Sequence, residues 1–369
     1  MARNAIVVGA GIAGLATARI LAIRGYKVRV FERNGAAMGA SVRNFGMIWP
    51  IGQPAGALYD AAMRSRQIWQ ELCEDAGIWF ETPGSLHLAY QQDEWDVLQE
   101  LKENYQERPM QLLSADEVKK VSVNAVSQGL LGGLFSYSEM IVDPRDAIAK
   151  LPAYLTEKYG VEFFWNEPVK QISLPRVETS RYTYHADEVV VCSGADFETL
   201  YPSLFAELPI TKCKLQMMRL TPQLQRMGPA LCGALSLGHY KSFEVAPSLQ
   251  KLKERFDQQY PEHKKYGIHV MVSQNESGEF TIGDSHEYGP DPDPFDVAHI
   301  NKLILDYLSH FARFSKTSVT QSWNGVYPKL SNGDAYLLMK TSDGVTILNG
   351  FGGAGMTLAP GIAEIELGY

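Results

Sequence analysis

The chain opens with a change of hydrophobic rhythm. Ala5 to Val8 is a short unbroken apolar run, the pattern of a strand buried on both faces, and Leu15 to Arg24 carries its apolar residues at helical spacing. Between them, Gly9-Ala-Gly11-Ile-Ala-Gly14 predicts a tight turn, and Gly25-Tyr26 closes the helix. Lys27 to Phe31 reads as a second strand with Glu32 at its end. Two strands joined by one helix imply parallel pairing, because a short hairpin cannot make that connection.

The same rhythms return later. Asp143-Pro144 predicts an N-cap with proline in the first helical position, opening a helix to Tyr159 that Gly160 ends. Val161 to Ile172 reads as extended, and Asp187 to Cys192 as a buried strand running into Ser193-Gly194-Ala195. Near the end, Val345 to Leu348 is a strand, Asn349 to Gly355 is glycine-rich, and Met356 to Leu367 is a helix with Pro360 in its first turn. Two intervening stretches, roughly residues 80–140 and 206–324, contain strand-like alternation at Gly84 to Tyr90, Lys212 to Leu220, Gly267 to Ser273 and Glu279 to Gly283, with a helix over Phe295 to Phe314. They predict one mixed sheet flanked by helices. The expected class is α/β: a Rossmann-like nucleotide domain from residues 1–79, 141–205 and 325–369, interleaved with an α+β substrate domain from 80–140 and 206–324.

Composition narrows the function. With 45% apolar and 21% charged residues and no low-complexity tract, the 369 residues predict compact structure. A net charge of −8 provides no basic field for a phosphate backbone, so nucleic acid is not an expected partner. Cys73, Cys192, Cys213 and Cys232 are widely spaced and form no CxxC pair, which argues against a zinc site or a disulfide framework and for a reducing, cytoplasmic compartment. The apolar stretch Ala5 to Ala22 is broken by glycines and carries Arg19, so neither a membrane span nor a signal segment is expected.

The first turn carries the clearest chemistry. Gly9 permits the sharp bend, Gly11 lets a pyrophosphate approach the backbone, and Gly14 lets the helix pack closely on the strand. The helix N-terminus then presents unpaired N–H groups and positive dipole to phosphates. Glu32, followed by Arg33, stands where ribose hydroxyls are held. Gly350, Gly352 and Gly355 spell the same spacing, but no strand and acid follow them, so they do not predict a second ribose site. An NAD(P)-linked enzyme is disfavoured for that reason.

Four blocks in order, VVGAGIAGLATARIL from Val7, the loop Ser41-Val-Arg-Asn-Phe-Gly-Met47, VVVCSGA at Val189 to Ala195 and NGFGGAGMTLAPG at Asn349 to Gly361, resemble the FAD-dependent amine and amino-acid oxidases of the glycine oxidase, sarcosine oxidase and D-amino-acid oxidase group. The likeness spans essentially the whole chain and implies a flavoprotein of the two-dinucleotide type. It implies that Ser41, Asn44, Phe45, Gly46 and Met47 lie along the FAD ribityl and ring, that Val169 meets the adenine, and that Ser193 and Gly194 pass close to the cofactor. Gly352, Gly353, Gly355, Met356 and Thr357 would close over the flavin from the far side, with the last helix aimed at its pyrimidine end. The wording SVRNFGMIWPIGQP also looks like a branch associated with phosphonate breakdown.

The departures from that group bear on substrate and acceptor. Tyr327 stands where relatives hold a substrate carboxylate with arginine, which removes a bidentate clamp. Arg43, Lys241 and Lys329 are the alternative anion holders. Ser322-Trp323 occupies the place of a flavin-linking cysteine, so FAD should be noncovalent, and Thr281 stands near the place of an oxygen-assisting lysine. The expected reaction is oxidation of the C–N bond of a small, anionic amine by hydride transfer to flavin N5, with an imine that hydrolyses afterwards; oxygen or another acceptor takes the electrons. No metal is needed. His239 and Tyr240 can accept a proton or fix the substrate, against the plainer reading of a loop histidine and a core tyrosine; Trp49 offers an apolar wall over the ring, against simple packing. His269, alternating with Val270 and Val272, reads as a satisfied sheet histidine. The alternatives to an oxidase are a flavin dehydrogenase and a non-catalytic flavin-binding scaffold.

Overall fold

The opening strand forms the centre of a six-stranded sheet. In the computed structural model, which describes residues 3–368, Asn4–Val8 pairs in parallel with Lys27–Glu32 on one side and Glu188–Val191 on the other. Glu162–Trp165 extends the sheet beyond Lys27–Glu32, and Thr346–Asn349 beyond Glu188–Val191. Only the outermost hairpin, Leu337–Lys340 with Thr346–Asn349, is antiparallel.

The crossover helix Ile12–Ile23 is buried nearly all round, which its sequence of Ile, Leu, Ala and Gly permits. It starts three residues earlier than its apolar spacing predicts, because Gly11 serves as N-cap without using a side chain. Pro144–Tyr159 matches its predicted bounds. Asp143 accepts a hydrogen bond from Arg145 N at 2.9 Å, and Gly160 closes the helix in the left-handed region at φ 70°.

Gly355–Leu367 covers the same face and is held from outside. Pro360 lies in its second turn, not the first as the sequence reading has it, and therefore removes an interior N–H that would have bonded Met356 O. That carbonyl instead accepts Trp69 Nε1 at 2.8 Å, and Gly361 N donates to Ser65 Oγ at 2.8 Å. Both partners belong to the helix Ala57–Ala76, as does Arg64, which grips Glu364 through Nε and Nη2 at 2.6 and 3.1 Å.

The second sheet has nine strands and is mixed. All its pairings are antiparallel except Ala230–Cys232 with Ser85–Ala89. Its longest pair joins Ile210–Leu220 to Val319–Leu330, which runs without a break through residue 325. Pro328 is tolerated there because Val319–Leu330 is an edge strand. The helix expected over Phe295 to Phe314 is shorter, Ala298–Phe311.

Two extended segments differ from expectation. Val161 to Ile172 is broken at Asn166, whose φ is 54°, since Glu162–Trp165 finishes the parallel sheet and Val169–Ser173 begins a separate three-stranded meander. Gly267 to Ser273 becomes a strand only at Met271–Gln274; before it, His269 and Asp284 exchange backbone hydrogen bonds at 2.8 and 3.2 Å.

The Pro360 arrangement gives the first prediction. Trp69→Phe keeps the ring but leaves the buried Met356 carbonyl without its donor, and should lower unfolding stability by about 1–3 kcal/mol. Equilibrium denaturation of the two proteins measures it.

Candidate active site

Two cavities meet beneath the glycine turn. The first, of about 360 Å³, is bounded by the turn, the end of the second strand and the end of Glu188–Val191. The close approaches there leave no room for side chains: a Cβ on Gly14 would stand 1.9 Å from Gly9 O, and one on Gly9 2.4 Å from Cys192 O. Gly11 brings no capping side chain, and of the first-turn N–H groups only that of Ile12 meets a side-chain acceptor among the described residues, so those of Ala13 and Gly14 remain available. Glu32 braces the wall, its Oε2 accepting Ala10 N at 3.0 Å and its Oε1 accepting Asn34 N at 3.0 Å.

The loop after the second strand links this cavity to the next. Ser41 Oγ accepts Ile12 N at 3.0 Å, and Asn44 Nδ2 donates to Ala40 O and Ser41 O while its Oδ1 accepts Gly46 N. Asn44 thus holds the loop's shape. Gly46 is required for packing, since a Cβ there would lie 1.9 Å from Val142 O. Trp49 N donates to Thr357 Oγ1 at 2.9 Å, tying the loop to the start of the last helix.

The second cavity, of about 220 Å³, lies between that loop, the start of Gly355–Leu367 and the inner face of the mixed sheet. Met47, Trp49, Leu215 and Met217 give it an apolar side. Its polar and titratable lining is His239, Tyr240, His269, Asp284, His286, Tyr327 and Lys329.

The model of the FAD dependent oxidoreductase family matches residues 4–365. The chain belongs to that family. It is similar to the glycine oxidase of Bacillus licheniformis, 24% identical over 98% of this chain and 91% of the relative. Among solved structures it resembles glycine oxidase from Geobacillus kaustophilus, with TM-score 0.78 at 20% identity over 99% of this chain and 94% of the other. A dithionite-reduced L-α-glycerophosphate oxidase from Mycoplasma pneumoniae, solved with FAD bound, superposes with TM-score 0.75 at 18% identity over 100% of this chain and 94% of the other. These likenesses establish the fold; together with the family match they make the protein an FAD-dependent oxidoreductase of the glycine oxidase and D-amino-acid oxidase type.

The residues present suit FAD. The bare glycine turn, the uncapped helix start and the acid at the strand end form one continuous trough with the second cavity, since Ile12, Ser41, Arg43, Tyr327, Gly352 and Gly355 line both. Arg33, Val169, Ser193 and Gly194 border the first cavity. Asn44, Phe45, Met47, Gly353, Met356 and Thr357 border the second. Gly14 and Gly46 border neither, and act through the backbone contacts just described. Of the catalytic candidates, Trp49, His239 and Tyr240 border the second cavity, and Tyr327 reaches both.

The polar side of the second cavity holds what sequence spacing does not reveal. His269 is buried, and its Nδ1 has no hydrogen-bond partner, so it is not the satisfied sheet histidine expected. His239 faces the open cavity with protein around its other sides, and its ring centroid lies 3.9 Å from that of His269. Burial holds the His269 imidazole well below the usual histidine range and His286 down at about 4. Burial also raises the Asp284 carboxyl well above the usual carboxylate range. Neither Asp284 nor His286 stands in a motif; one weak signal is that both directly follow a predicted strand ending at Gly283.

The three cationic candidates differ in how they are engaged. Arg43 Nη1 donates to Asn324 O at 3.1 Å, and Lys241 Nζ donates to Gly333 O. Lys329 Nζ has neither a hydrogen bond nor an ion pair among the described residues, and burial lowers its pKa.

The turn geometry makes a direct prediction. Gly14→Ala forces a methyl onto the Gly9 carbonyl, so the purified variant should lack the flavin absorbance of the parent; a fully yellow variant would show that the turn can relax.

Proposed function

We propose that this protein oxidises the C–N bond of a small anionic amine, an amino acid, an N-methyl amine or an aminophosphonate. The observation that carries the reading is Lys329: a half-buried ammonium without a hydrogen-bond or ion-pair partner among the described residues, on the wall of a part-apolar cavity and packed against Gly352 of the glycine-rich segment. An unpaired cation in such a place favours an anionic guest.

Gly9, Gly11, Gly14, Glu32 and Arg33 would hold the ADP half of noncovalent FAD, with Val169, Ser193 and Gly194 beside it. Ser41 to Met47 and Gly352 to Thr357 would hold the flavin half. Bound FAD supplies the two-electron acceptor. The chain's own residues do the rest. Trp49 and Met47 exclude water from one side of the substrate, Lys329 anchors its anion, and Tyr327, Tyr240 and His239 orient the amine and take its proton. An imidazole exposed to the cavity, as that of His239 is, can accept a proton in its neutral form.

Tyr327 disfavours a simple α-amino acid oxidase, since its hydroxyl offers one hydrogen bond where a guanidinium offers two. The SVRNFGMIWPIGQP likeness to a phosphonate-associated branch supports an aminophosphonate instead. Thr281 in place of an oxygen-assisting lysine favours a second reading, a dehydrogenase that passes electrons to another acceptor. The division at residues 80–140 and 206–324 would make the mixed sheet the substrate unit. Four free, buried thiols suit a reducing cytoplasm.

Anaerobic addition of glycine, sarcosine, D-alanine, 2-aminoethylphosphonate and its N-methyl form should bleach the flavin with at least one of them. No bleaching with any would reject amine oxidation for these substrates and favour a catalytically silent scaffold. Peroxide on admitting air separates oxidase from dehydrogenase.

Lys329 yields a pH prediction. Its ammonium is the form that binds an anion, and its folded pKa is lowered, so binding is lost as pH rises through that lowered value. Competitive inhibition by methanesulfonate should therefore weaken below the ordinary lysine range of about 10.4. In Lys329→Met the inhibition constant should be raised on the order of 10- to 100-fold at neutral pH and lose that step.

A further inference from the structure

Three histidines far apart in the chain converge on the wall of the second cavity. One ring nitrogen from each of His239, His269 and His286 lies within 4.8 Å of those of the other two. The ring centroids are 3.9, 4.7 and 5.1 Å apart. Asp284 stands beside two of them, with Oδ1 3.2 Å from His269 Nε2 and Oδ2 3.7 Å from His286 Nε2.

These groups are short of donors. His286 Nδ1 lies 2.9 Å from Gly267 O, and a carbonyl can only accept, so in the neutral ring Nδ1 carries the hydrogen and Nε2 presents a lone pair. Asp284 Oδ1 is buried without a hydrogen-bond partner, although His269 Nε2 is near it. Asp284, His269 and His286 are only 6%, 3% and 6% exposed, so water cannot freely supply what is missing. Buried acceptors facing one another are costly unless a cation lies among them.

The geometry points to a metal site: we propose that His239, His269 and His286, with the Asp284 carboxylate beside two of them, bind one divalent transition-metal ion of the Zn²⁺ class. Metal bonds of about 2.0–2.1 Å in a tetrahedron place neighbouring ligand atoms roughly 3.3 Å apart, close to the two carboxylate–imidazole separations. A backbone carbonyl that fixes the distal nitrogen, as Gly267 O does for His286, is the usual support of a metal-bound imidazole. Three nitrogens and one carboxylate favour Zn²⁺ over Mg²⁺ or Ca²⁺, which prefer oxygen shells. Lys329 opposes added positive charge here, and the Asp284 carboxylate offsets it. His239, facing the open cavity, is the ligand that closes on the ion last, and only in the metal-free protein is that ring nitrogen open to the amine proton.

The site is independent of which amine is oxidised, so it is tested without turnover. FAD-loaded protein is stripped with a chelator and titrated with Co²⁺, then challenged with Zn²⁺. One Co²⁺ per chain, with the strong visible bands of a four-coordinate ion and displacement by Zn²⁺, is the expected result. His269→Gln and His286→Gln should each weaken binding by roughly tenfold or more while the flavin spectrum is kept. If those variants lose FAD, anomalous diffraction from Zn²⁺-soaked crystals of the unaltered protein decides, with the peak expected between the three rings. Co²⁺ binding unaffected by the substitutions, no binding to the unaltered protein, or a Zn²⁺ peak only elsewhere would each overturn the proposal.

Discussion

The contact on which the rest depends is between two stretches of backbone. Gly14 lies against the Gly9 carbonyl, and Gly9 against the Cys192 carbonyl, at distances no side chain could share. This lets the crossover helix sit directly on the parallel sheet with its uncapped start over the strand ends. From there a series of hydrogen bonds runs outward. Ser41 takes the Ile12 N–H, Asn44 shapes the loop, and Trp49 donates to Thr357 on the last helix. One turn thereby sets the positions of both cavities.

Much of this was legible because it is local. The strand–turn–helix–strand unit and the helix from Pro144 to Tyr159 follow from spacing, caps and glycines within a few residues of each other. The break at Asn166 was not legible, since it marks where the chain leaves one sheet for another, and pairing partners lie far away in sequence. The same holds for Pro360, whose tolerance rests on Trp69 and Ser65 of a distant helix.

The candidate site divides in the same way. Its glycines and Glu32 were readable from a motif, as was the place of Tyr327. Asp284 and His286 were not, and His269 was taken for a packed strand residue, because their grouping is a product of the mixed sheet and the segment just before it. Lys329 was one of three equal cations until the structure distinguished them by their partners: Arg43 and Lys241 donate to backbone carbonyls, while Lys329 does not. For a half-buried group that difference matters more than formal charge.

The edge strand Val319–Leu330 belongs to the mixed sheet, yet Tyr327 on it borders both cavities and Lys329 bridges to Phe351 in the glycine-rich segment. One strand therefore supplies a wall to both cavities. Evolution cannot reshape the two independently at this point. A substitution at residues 327–329 that reshapes one cavity is also felt in the other, and accommodating it falls to the residues 350–355 packed against that strand.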